Sequence, residues 1–118
     1  MINEEKRMIL QFGRSAKLLR DAVNSGNEEE LYRLYPEHAE KILNALNLLS
    51  QAANLNEVMP FKMFRPHVIA SENIFSMTVG GRKRLIVRTL GKDGKPTKKI
   101  DFHTNYGLIV EVSEHYGD

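Results

Sequence analysis

Arg82, Lys83, Arg84 and Arg88 crowd into a short stretch behind the paired glycines Gly80-Gly81, with Lys62 and Arg65 upstream. Cations at this density can neutralise several phosphates of a nucleic-acid backbone, and each such contact makes binding more sensitive to salt. The same residues can also serve as solubilising charge along a sheet edge. Histidines lie in the same half of the chain. His67 follows Pro66, His103 falls in a polar stretch, and His115 precedes Tyr116. An imidazole titrates in the range that proton transfer near neutral pH requires. His38, early in a helical stretch, reads as a surface residue. The basic groups point to binding of phosphate or of an acidic partner, and histidine leaves acid–base chemistry open.

The charge distribution sharpens this reading. The chain has 118 residues and a net charge of only +2. Residues 1–60 hold 7 basic and 9 acidic side chains, whereas 62–99 hold 10 basic side chains against 2 acidic ones, Glu72 and Asp93. A basic segment of this kind is what a polyanion would meet, whatever the average charge.

Other chemistries are excluded by what is missing. Without cysteine there is no disulfide, no thiolate zinc site and no cysteine nucleophile. No pair of histidines, or of histidine and carboxylate, falls at metal-ligand spacing within one element, and the glycine-rich phosphate loops, the nucleophile elbow and the calcium loop are all lacking. Neither a metal nor a cofactor is expected. No apolar run approaches the ~18–20 residues needed to span a bilayer. The charged opening residues lack the apolar stretch of a signal peptide. A cytoplasmic protein with no membrane attachment is the expectation. With 42% hydrophobic and 27% charged residues, the whole of 1–118 reads as one globular domain.

The elements that must position these groups follow from periodicity. Residues 8–12 form a short apolar run closed by Gly13, read as a strand. Helical spacing covers 15–24, then 27–35 with Asn27 as N-cap, then 36–53 with Pro36 at the first helical position. The last of these carries a stripe of Ala39, Ile42, Leu43, Leu46, Leu49 and Ala53. Beyond Pro60 the texture alternates, predicting strands at 62–67, 73–79, 83–90, 98–104 and 107–113. In 83–90, Arg84, Ile86 and Arg88 alternate with Leu85, Val87 and Thr89, so one strand face carries cations. Most aromatics belong in the core, with Phe64 and Tyr116 left as base-stacking platforms. The expected architecture is α+β: an N-terminal strand and helices packed on one face of a mostly antiparallel, twisted sheet.

Three stretches resemble the HigB-like branch of the RelE/ParE toxins of bacterial toxin–antitoxin modules. They are the opening strand Met8-Ile9-Leu10-Gln11-Phe12, the helix and turn ending Ala53-Asn54-Leu55-Asn56-Glu57-Val58-Met59-Pro60, and a hairpin in which Phe75-Ser76 leads to a basic strand. A last strand ending Val112-Ser113-Glu114-His115-Tyr116 is similar to the family's closing Val-x-Asp-Tyr-His-like signature, with the final two residues inverted. The chain departs from the family where a histidine and a lysine usually precede the hairpin: Arg65 and Val68 stand there instead. Lys83-Arg84 replaces a common Trp-Arg pair.

The resemblance implies a RelE-like fold and a ribosome-dependent endoribonuclease that cleaves mRNA without metal, silenced by a HigA-like helix-turn-helix antitoxin. It also implies attack of a ribose 2′-OH on the adjacent phosphate. Arg84 would hold that phosphate, and Arg65 and His67 would stand in for the missing histidine and lysine. His115 and Tyr116 would supply acid–base groups and base stacking, with His67 or His115 moving the proton. Lys62, Arg82, Lys83 and Arg88 would contact RNA. Two other functions remain open on the same scaffold: a ParE-like inhibitor of DNA gyrase, and a nucleic-acid-binding regulatory module without toxicity.

Overall fold

In a computed structural model that describes residues 7–114, the chain begins with strand β1 (Ile9–Phe12) and a 3₁₀ turn at Arg14–Ala16. Three helices follow: α1 (Lys17–Asn24), α2 (Glu29–Leu34) and α3 (Ala39–Gln51). After two 3₁₀ turns, at Leu55–Glu57 and Lys62–Phe64, come β2 (His67–Ile69), a turn at Ala70–Glu72, β3 (Ile74–Thr78), β4 (Arg84–Thr89) and β5 (Tyr106–Ser113).

The five strands form one sheet in the order β1-β5-β4-β3-β2. β1 runs parallel to β5, and every other pair is antiparallel. A parallel neighbour cannot be reached by a tight turn. All three helices come between β1 and the other strands in the sequence, and they cover one face of the sheet. Leu19, Leu31, Ile42, Leu46 and Leu49 from the helix layer share a buried core with Phe75, Met77, Leu85, Val87 and Ile109 from the sheet. Phe75 meets Phe102 edge-on, with ring centroids 6.2 Å apart. The α+β class expected from the sequence is the one observed.

Several boundaries differ, each for a local reason. α3 starts at Ala39 rather than Pro36, because the Tyr35 carbonyl accepts from both His38 and Ala39 and closes a turn there. Asn27 does not cap α2; Glu28 holds that position, and Glu29 and Glu30 in the first turn complement the helix dipole instead.

The strand expected at 62–67 is a 3₁₀ turn ending at Arg65, whose φ of +44° is left-handed and interrupts any extended run. Strand geometry begins only at His67. Residues 98–104 form no strand either. Side chains capture their backbone: Asp101 N donates to Thr89 Oγ1 (3.0 Å), His103 N to Asp101 Oδ1 (2.9 Å), and Thr97 Oγ1 to the Lys99 carbonyl (2.5 Å). Among the described residues no helix is long and apolar enough to cross a membrane.

Candidate nucleic-acid interface

Strand register fixes what stands on the sheet face turned away from the helices. His67 on β2 pairs with Ser76 on β3, Ser76 with Ile86 on β4, and Ile86 with Glu111 on β5. Directly opposed residues project to the same side, so His67, Ser76, Ile86 and Glu111 form one row across four strands. Arg84 and Arg88 lie two residues to either side of Ile86 and share its face. The alternate residues of these strands, Phe75, Met77, Leu85, Val87 and Ile109, belong to the helix-side core, whereas Ile86 is fully buried outside it. The alternation read from the sequence of β4 is therefore observed, and its cationic face is the one without helices.

Two buried polar atoms on this face have no hydrogen-bond partner: Ser76 Oγ and Arg88 Nε. Unpaired buried donors are uncommon and call for an explanation. Both atoms are sealed from solvent, so they stand beneath the surface that a ligand would meet. His67 is half-buried, and its Nδ1 lies 2.9 Å from the Arg65 carbonyl oxygen. Donation from Nδ1–H to that carbonyl leaves Nε2 as the nitrogen that exchanges a proton with a ligand.

The remaining predicted cations do not join Arg84 and Arg88. Lys62 is exposed in the 3₁₀ turn, and Arg65 is exposed at its left-handed end, supplying the site with a carbonyl rather than a charge. Arg82 is exposed in the hairpin loop. Lys83 is bonded to Glu114 at 2.7 Å, with its Nζ 5.8 Å from the centre of the Tyr35 ring. Tyr35 packs against the helix-side core, so Lys83 is engaged away from the arginine face. His115 and Tyr116 lie outside the described residues.

Two further expectations are corrected. Phe64 is 4% exposed and lies under the Lys41 ammonium, so it is a core residue and no stacking platform. His38 is half-buried, with Nδ1 3.2 Å from the Val79 carbonyl, which pins the start of α3 to the β3–β4 hairpin. Val68, at the position where the resembling family has a lysine, packs against the helix-side core. His103 receives the Asn56 amide at its Nδ1 (3.3 Å) in a loop and takes no place in the row.

Two site residues carry little signal in the sequence. Ser76 stands out only as half of an aromatic-Ser pair, and Glu111 not at all. Among the described residues no three His, Asp or Glu side chains gather as metal ligands would. Comparison with known protein families, with curated proteins and with solved structures finds no match to this chain.

Proposed function

We propose that this chain is a RelE/HigB-like toxin, an endoribonuclease that cleaves mRNA in the ribosome and is neutralised by a HigA-like helix-turn-helix antitoxin. The observation that carries the reading is the strand register that groups Arg84, Arg88 and His67 on the helix-free face of the sheet. The order of an N-terminal strand, helices on one face and a mostly antiparallel sheet supports the same scaffold.

The chemistry follows from the groups present. A ribose 2′-OH attacks the neighbouring phosphorus, and negative charge builds on the phosphorane oxygens. Arg84 and Arg88 oppose that charge as it develops, where fixed cations are most effective. Arginine cannot serve as the acid, because a guanidinium holds its proton too tightly to give it up. Protonation of the departing 5′-oxygen falls to His67 through Nε2, with Nδ1 held by the Arg65 carbonyl.

Inducible expression of the chain without an antitoxin tests the proposal. Growth arrest accompanied by codon-positioned mRNA cuts supports it, and His67→Ala should abolish both. Arrest with intact mRNA and damaged DNA would overturn it in favour of a ParE-like gyrase inhibitor.

A further inference from the structure

We infer that Glu111 is the general base of this site, the group that takes the proton from the attacking 2′-OH. The inference rests on the nuclease reading above. It begins with a break in the β4–β5 ladder. Val87 pairs with Ile109, but the next residue of β4, Ile86, pairs with Glu111, so Val110 is an extra residue in β5. Strict alternation from Ile109 would turn Glu111 toward the helix-side core, since residues two apart share a face. The extra residue reverses this and sets the carboxylate on the arginine face. Bulges often re-aim a side chain beside an active site in this way.

Glu111 then occupies one end of the row that His67 begins, with Ser76 and Ile86 between them. Three strand spacings separate the ends, about 14 Å between backbones. Ser76 and Ile86 between them are fully buried, so a phosphodiester would lie over the row, on Arg84 and Arg88, with a base at one end and an acid at the other. Cleavage by in-line displacement needs the two on opposite sides of the phosphorus. An ionised carboxylate only accepts protons, whereas an imidazolium donates from both nitrogens, so Glu111 is the base and His67 the acid.

The step balances without a co-reactant. Glu111 takes the 2′-hydroxyl proton, the 2′-oxygen bonds to phosphorus, the bond from phosphorus to the 5′-oxygen breaks, and that oxygen takes a proton from His67. The products are a 2′,3′-cyclic phosphate and a 5′-hydroxyl. The charged groups on neighbouring elements are Arg84 and Arg88 on β4, His67 at the far end of the row, and Arg14 in the 3₁₀ turn that packs on β5.

The test is single-turnover cleavage of mRNA in programmed ribosomes across pH, for wild type, Glu111→Gln and Glu111→Asp, with ribosome binding measured in parallel. Glu111→Gln is expected to bind as wild type does, to cleave at least about 100-fold more slowly, and to lose the fall in rate that wild type shows toward acid pH. Glu111→Asp should recover part of the rate and that acid limb. A Glu111→Gln rate within threefold of wild type overturns the assignment. So does a loss that merely follows binding with the pH profile unchanged, because that marks a structural role. If Glu111→Gln does not fold, a wild-type profile lacking an acid limb, or a Glu111→Asp profile lacking one, overturns it. Wild-type chain that leaves mRNA intact overturns the nuclease reading itself, and this assignment with it.

Discussion

Glu111 lies directly opposite Ile86, one residue out of step with the Val87–Ile109 pair beside it. That offset decides the composition of the helix-free face. Without it the face would carry Arg84, Arg88, Ser76 and His67 but no carboxylate. With it, Glu111 joins that face opposite Ile86, with Arg84 and Arg88 on the neighbouring strand.

Arg84 and Arg88 should act as phosphate contacts. Single replacement by alanine is expected to weaken binding to single-stranded RNA, and to shallow the dependence of log affinity on log salt by about 0.7 per arginine removed. Fluorescence anisotropy across a salt series measures both. Arg82→Ala, in the exposed loop, should change the slope less than Arg88→Ala.

Ser76 is fully buried with its hydroxyl unpaired. Replacing an unsatisfied buried hydroxyl by a methyl group removes a desolvation penalty of about 1 kcal/mol or more. Ser76→Ala should therefore equal or exceed wild type in urea unfolding, with its RNA affinity unchanged. A drop in stability would show that the hydroxyl is paired in solution.

The β3–β4 hairpin depends on Gly80. Its φ is +115°, and a Cβ there would stand 2.5 Å from His38 Nδ1. Gly80→Ala is expected to lower stability by about 1–3 kcal/mol. Gly94 has φ +80° but open space where a Cβ would stand, with nothing within 4 Å, and should be less sensitive. Adding His38→Ala to Gly80→Ala should relieve the steric part, which a urea double-mutant cycle would read.

Phe75 joins the two layers, fully buried and edge-on to Phe102. Phe75→Ala should cost about 3–5 kcal/mol, measured by chemical unfolding. A loss below about 1 kcal/mol would contradict this packing.

Much of this was legible in the sequence. Ala39, Ile42, Leu46 and Leu49 at helical spacing define α3, and the alternation of Arg84, Ile86 and Arg88 announces the cationic face directly. Other features depend on contacts that one-dimensional patterns do not carry. Arg65 adopts a left-handed conformation that its residue type does not announce, which shifts β2 to His67 and takes Lys62 and Arg65 off the sheet. The 98–104 segment alternates like a strand, yet Thr89 and Asp101 claim its backbone donors. Glu111 was hidden most completely. Its face is set by an extra residue in β5, and a shift of one residue reverses every side chain beyond it.

The most direct test of the central claim is the chemistry of the mRNA ends formed when purified chain is added to programmed ribosomes. Metal-independent attack by the 2′-OH on the His67–Glu111 face predicts 2′,3′-cyclic phosphate and 5′-hydroxyl ends, absent with His67→Ala. Intact mRNA, or fragments ending in 3′-hydroxyl and 5′-phosphate, would contradict it.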